Sequence, residues 1–257
     1  MSKKRSLSTE EARWVRQKGY HDALEFALAI GLSEDYKNDF KAKKDVIDLS
    51  GDAHSVKGGE KKWQIFLYSL TRFEEDESFV AMNGIGALLA ECINSFPNTF
   101  EEYQRNKVEA KERLRTPMKK LAEKLQGRSL LKAFLNKSLF NGGEVNYLTV
   151  KQNGGFHIFL NRDVIELLGK HLEVTNSRAR SIGQISEQKV LFRYKGVNLA
   201  ELEMRNDSEI HYREMRFNMI KPKAMDLLST ILITGKWGNK VFIHGNAVRS
   251  FGSWKKK

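Results

Sequence analysis

Apolar positions along this chain recur with two different periods, and the change between them falls near residue 141. Ser8-Thr9-Glu10-Glu11 has the form of a capping box and opens an amphipathic stretch to about Leu32. There Leu24, Ala27, Leu28 and Gly31 share one helical face, Asp22 and Glu25 sit beside it, and Gly19 offers a point of division. Residues 45–57 break this rhythm with two short alternating segments around Ser50-Gly51-Asp52, which predicts a β-hairpin. Residues 61–70 fit a third strand and a buried helix equally well. A mostly buried helix is expected over 78–96, exposed helices over 99–126 with a break at Pro117, and a further helix over 129–140.

Asn141-Gly142-Gly143 then punctuates the chain. Residues 145–150 and 156–160 flank Asn153-Gly154-Gly155 as a hairpin, and a short helix over 161–168 starts at an Asn cap. Alternating strands are expected over 189–194, 199–205 and 211–217, a helical or buried run over 223–234, and a last strand over 240–244. This grammar predicts an α/β protein in two parts, residues 1–140 and 141–257.

Charge narrows the choice of partner. Lys and Arg number 44 against 32 Asp and Glu, a formal net charge of +12 with a pI near 9.6, which favours binding to a phosphate backbone. Cys92, the single cysteine, lies in an apolar run and argues against a disulfide framework or a cysteine-rich zinc site. A signal peptide and a bilayer-length apolar run are both absent, so a cytoplasmic protein without membrane partners is expected. No P-loop, dinucleotide-binding spacing or zinc pattern is present.

Candidate chemistry concentrates in the 45–57 hairpin, where acids stand near a lysine as phosphodiester hydrolysis requires. Its loop length decides which acid faces Lys57. A Ser50–Asp52 loop puts Asp45 opposite Lys57, with Ser55 on the same face; a Gly51-Asp52 loop puts Asp48 opposite Ser55; a Ser50-Gly51 loop builds neither. Alternation sets His54 on the other face, in a structural role.

This arrangement resembles the PD-(D/E)XK nuclease superfamily, in which an acid on one strand and an acid-x-Lys on the next hold Mg²⁺. Here the second motif reads Ser55-Val56-Lys57, a Ser-x-Lys variant similar to that of some type II restriction endonucleases. The resemblance implies Asp45, with Asp48 as the second choice, as a Mg²⁺ ligand alongside the Val56 carbonyl. It gives Lys57 and Ser55 catalytic roles, and it asks a glutamate elsewhere to replace the missing acid. Glu25 is the first candidate, with Glu60, Glu74 and Glu75 behind it. A looser likeness to the same enzymes covers residues 45–64 and 147–180. The implied fold is a PD-(D/E)XK-like core, a mixed sheet flanked by helices, with a C-terminal α+β DNA-recognition region: 1–140 catalytic, 141–257 recognition. The implied activity is sequence-specific, Mg²⁺-dependent hydrolysis of double-stranded DNA by metal-activated water, by a homodimer where the target is palindromic. The alternative is a basic nucleic-acid-binding protein without activity.

Two further groups bear on this reading. Asn176, Ser177, Arg178, Arg180 and Ser181 form a loop able to contact phosphates or base edges, with Arg193, Lys195, Arg213 and Arg216 extending it. Glu201-Leu-Glu203 is a rival metal site, weighed against cross-strand ion pairing with residues 211–216.

Overall fold

The computed structural model describes residues 9–38, 46–179 and 181–253. Asp45, Arg180 and Ser8 of the capping box lie outside them. In chain order the elements are α1 (Thr9–Ala29), β1 (Val46–Ile47), β2 (Ala53–Lys57), β3 (Lys62–Tyr68), α2 (Leu70–Glu75), α3 (Glu77–Val80), α4 (Ile85–Asn94), α5 (Phe100–Arg105) and α6 (Lys107–Leu125). There follow α7 (Arg128–Phe140), β4 (Tyr147–Gln152), β5 (Gly155–Leu160), α8 (Asn161–His171), β6 (Glu173–Asn176), β7 (Lys189–Tyr194), β8 (Val197–Met204), β9 (Met215–Ile220), α9 (Lys221–Leu228), β10 (Ile233–Trp237) and β11 (Val241–His244). The fold is α/β, with one mixed and one antiparallel sheet and flanking helices.

Two compact units emerge, and neither is a continuous stretch of chain. The first is drawn from the described residues of Met1–Glu60, Leu139–Leu167 and Leu228–Lys257, the second from Lys61–Ser138 and Leu168–Leu227. A single break at residue 141 therefore does not describe the packing. The reason is strand pairing: the β4–β5 hairpin, read from sequence as the start of a second part, completes the sheet begun by β1 and β2.

That first sheet has the order β1-β2-β4-β5-β11-β10. β2 runs parallel to β4 and β5 parallel to β11, while the β1–β2, β4–β5 and β10–β11 pairs are antiparallel. Phe26 and Ala27 of α1, with Ile30 just past its end, pack on Val46, Tyr147, Phe156, Ile158, Val241 and Ile243, which strand alternation places on one face. Ser55, Lys57, Leu148, Val150, His157 and Phe159 point to the other.

The second unit carries the all-antiparallel sheet β3-β9-β8-β7-β6. Phe66, Phe192 and Phe217 project from one face onto Phe134 of α7, with ring centroids 5.2–6.3 Å apart. Burying each such ring contributes roughly 1.5–3 kcal/mol, so this cluster anchors the unit. Residues 61–70, ambiguous by period, resolve into β3 and the start of α2 because β9 supplies a pairing edge. Pro117 does not break α6; it sits buried inside the helix with Leu114, Met118 and Leu121. The strand expected at 211–217 starts later, at Met215, after a long β8–β9 loop.

Candidate active site

The 45–57 hairpin adopts none of the three registers considered. Val46 pairs with His54 and Ile47 with Ala53, and Asp48 N–H donates to the Asp52 carbonyl at 3.0 Å, so the loop is Leu49-Ser50-Gly51. Asp48 itself sets this loop: its Oδ1 accepts from the backbone N–H of Ser50 at 2.8 Å and of Asp52 at 3.1 Å. Its Oδ2 lies 3.3 Å from His54 Nε2, and both side chains are fully buried. His54 Nδ1 is 2.9 Å from Thr149 Oγ1, and its ring stacks on Tyr147 with centroids 4.7 Å apart. Asp48, expected as a metal ligand, is instead consumed by turn closure and a buried contact. His54 is buried on the face opposite Lys57, as alternation places it.

Ser55 and Lys57 share a face, but it is the face away from α1. Val56 turns its side chain toward the α1 core. Glu25, the acid expected to serve Lys57, therefore lies across the sheet from it. What Glu25 meets is Lys151, which β4 directs to the α1 side in alternation with Tyr147 and Thr149. Lys151 Nζ lies 2.6 Å from Glu25 Oε2 and 2.7 Å from Asp22 Oδ1. One helical turn supplies both carboxylates, since residues three apart are neighbours on a helix surface.

Space for this cluster comes from the end of β2. A Cβ on Gly58 would stand 1.7 Å from Asp22 Oδ2, so the bare backbone beyond Lys57 is what lets the Asp22 carboxylate reach the sheet. The Asp22 side chain is only 4% exposed. Glu25 is held below the usual carboxylate range by its hydrogen bond and charge interaction with Lys151, against the opposing effect of burial. Burial disfavours the Lys151 ammonium, yet hydrogen bonds to Asp22 and Glu25 raise its pKa above the ordinary lysine value. At neutral pH the cluster thus holds an ionised Glu25 beside a protonated Lys151.

Asp22, Glu25 and His21 each place one ligand atom within 4.8 Å of the others. The carboxylates are hard oxygen donors, the class that suits Mg²⁺, which takes one or two carboxylates and completes its shell with water and phosphate oxygens. The donor set fits such an ion, with His21 at its rim.

The remaining candidates fall elsewhere. Glu60 pairs with Lys18 at 3.4 Å, and Glu74 and Glu75 belong to the second unit. Glu201 and Glu203 lie in a cross-strand ladder: Lys62 Nζ and Lys189 Nζ approach Glu201 at 2.6 and 3.2 Å, and Lys189 and Arg216 both pair with Glu203. Burial works against the Glu201 charge, but the two lysines bring its pKa down to about 2. That is the ion-pair reading of Glu-x-Glu.

Of the loop residues, Asn176 donates to the Met118 carbonyl at 3.0 Å and Ser177 Oγ accepts from the N–H groups of Gln188 and Lys189, so both shape the loop. Arg178 and Ser181 are exposed. Arg193 bonds the Gly196 carbonyl, and Lys195 sits in the β7–β8 turn, at the opposite end of the sheet from Arg178. Arg213 is held by Asn98 and Asn94 at 2.5 and 3.0 Å. These residues do not form one continuous surface.

Sequence pattern places Asp22 and Glu25 together on α1 but does not point to Lys151. Its signal was present in the alternation Tyr147-x-Thr149-x-Lys151, but the parallel β2–β4 pairing that carries it to α1 is a long-range fact. Comparison with protein-family models, curated proteins and solved structures yields no match. Among the described residues no helix is long and apolar enough to cross a membrane.

Proposed function

We propose that this chain is a Mg²⁺-dependent endonuclease acting on double-stranded DNA in the manner of a type II restriction enzyme, with the first unit as a PD-(D/E)XK-like core. The observation that carries the proposal is the convergence of Asp22, Glu25 and Lys151 beside the end of β2, two hard ligands and a cation on the α1 face of the first sheet. The net charge of +12 supports an anionic polymer as substrate.

Asp22 and Glu25 would hold Mg²⁺, which when bound supplies charge withdrawal at the phosphoryl oxygens. Glu25, kept ionised by its neighbour, remains an acceptor throughout. Lys151 is too strongly protonated to serve as a base; its ammonium is suited to balancing charge that builds on the phosphate. Lys57 faces away from this cluster and takes no part in it.

Plasmid DNA incubated with the purified protein in Mg²⁺ or EDTA tests this reading. Discrete fragments in Mg²⁺ alone are expected, with Glu25→Gln and Lys151→Gln each abolishing cutting while leaving DNA binding in place. Binding without cutting by the unaltered protein would overturn it and leave a DNA-binding protein whose triad merely clamps α1 to β4.

A further inference from the structure

The β6–β7 loop of the second unit is built around its own hydrogen bonds. Ser177 N–H donates to the Lys189 carbonyl at 3.0 Å, Glu187 N–H to the Ser177 carbonyl at 2.8 Å, and Ala179 N–H to Ser186 Oγ at 2.9 Å. Gln188 Nε2 reaches the Lys111 carbonyl at 2.9 Å, and Glu187 pairs with Arg115 at 3.1 Å, tying the loop to α6. The apex is a β-turn: Gln184 N–H donates to the Ser181 carbonyl at 3.2 Å, and Gly183 takes φ +83°, the type II arrangement.

Ile182 occupies the second position of that turn and is completely exposed. A β-branched apolar side chain is a poor choice for a turn corner, where Pro, Asn, Asp and Ser serve better. A single exposed apolar residue on a surface needs no explanation, but one held in water at the tip of a loop tied to α6 breaks a local rule without local gain. Arg178, exposed on the same loop, has no hydrogen-bond or ion-pair partner among the described residues, so its charge is available to a phosphate.

The β8–β9 loop leaves the same end of the sheet and presents Ile210 in the same way, at the second position of a turn closed by Tyr212 N–H and the Glu209 carbonyl at 3.3 Å. Its charges differ. Arg205 is engaged by Asp207, Arg213 by Asn98 and Asn94, and His211 by Glu214, while Glu209 adds a carboxylate beside the apex. Both tips expose an isoleucine, but on different turns, since no residue of 209–212 takes the positive φ of Gly183, and they part in charge.

We propose that Ile182 is a wedge that enters between base steps of duplex DNA, with Arg178 seating the loop on the adjacent phosphate. Apolar wedges of this kind partly unstack a step and kink the duplex, and flexible pyrimidine–purine steps yield most readily. The inference rests on the reading that this chain acts on duplex DNA, and it adds a site in the second unit to the Asp22–Glu25–Lys151 cluster of the first.

The test uses the full chain and short duplexes carrying 2-aminopurine at TpA steps, in EDTA so that nothing is cut. Binding is followed by anisotropy and unstacking by 2-aminopurine fluorescence. The unaltered protein should bind and raise the fluorescence; Ile182→Ala should bind within about tenfold and lose the rise, because backbone contacts supply most affinity. Ile210→Ala should keep it. Binding without any rise, a full rise with Ile182→Ala, or loss of the rise only with Ile210→Ala would each overturn the wedge and leave the endonuclease proposal standing. Unstacking by a protein that never cuts in Mg²⁺ would do the reverse, and absence of duplex binding would end both.

Discussion

Gly58 lies so close to Asp22 that a methyl group on its Cα would sit 1.7 Å from Asp22 Oδ2. Gly58→Ala must therefore push the carboxylate away from the end of β2 and from Lys151. A displacement near 1 Å in a catalytic group costs on the order of 100-fold in rate. We expect Gly58→Ala to lower Mg²⁺-dependent plasmid cleavage by about that factor while the circular dichroism spectrum stays unchanged. Cleavage at the original rate would show that Asp22 has no part in the site.

Lys151 neutralises an Asp22 side chain that is almost wholly buried. Lys151→Met leaves that charge with its partner removed, and the expected loss is about 1–3 kcal/mol. Urea denaturation should show a lower midpoint with an unchanged slope. Glu25→Gln, on the more exposed partner, should cost less.

Asp48 serves three donors at once, the N–H groups of Ser50 and Asp52 and the His54 ring. Asp48→Ala strands buried polar groups and should destabilise the protein by roughly 3 kcal/mol. Asp48→Asn keeps a carbonyl for the two backbone donors and should recover much of that loss. Neither should alter the metal dependence of cutting per folded molecule; a changed Mg²⁺ requirement in Asp48→Asn would return this residue to the metal site.

Glu201 gives the second unit a pH signature. Its carboxyl titrates near 2 in the folded protein against 4.5 ordinarily, so its contribution is complete above about pH 4.5 and fades as pH falls toward 2. That contribution amounts to roughly 3 kcal/mol at neutral pH, reduced by whatever water reaches the pair. Thermal midpoints recorded from pH 6 downward should fall less steeply in Glu201→Gln than in the unaltered chain.

Local grammar located most of the elements and missed how they combine. The Asn153-Gly154 hairpin and the strand alternation of 189–205 were legible because each depends on neighbours in sequence, whereas the helix expected over 78–96 divides into α3 and α4 around a left-handed Asn83-Gly84. The β1–β2 register was not, because an Asp48 side chain rather than the Ser-Gly-Asp dipeptides closes the loop. The pairing of β2 with β4 was also hidden, since the two strands are separated by some ninety residues and their parallel contact leaves no local trace. Glu25, expected beside Lys57, pairs instead with Lys151. Lys57 belongs to the opposite face, a distinction that only the register makes.

The interleaving of the two units also bears on how the protein is made. The chain crosses from one unit to the other after residues 60, 138, 167 and 227. As the chain leaves the ribosome, α1 and the β1–β2 hairpin emerge before β4 and β5 and cannot close their sheet until these follow, and β11 comes later still. The second unit likewise waits for β9 before β3 gains a neighbour. Early segments thus spend much of synthesis with open strand edges, and expression of either unit as a simple N- or C-terminal fragment should give aggregated chains.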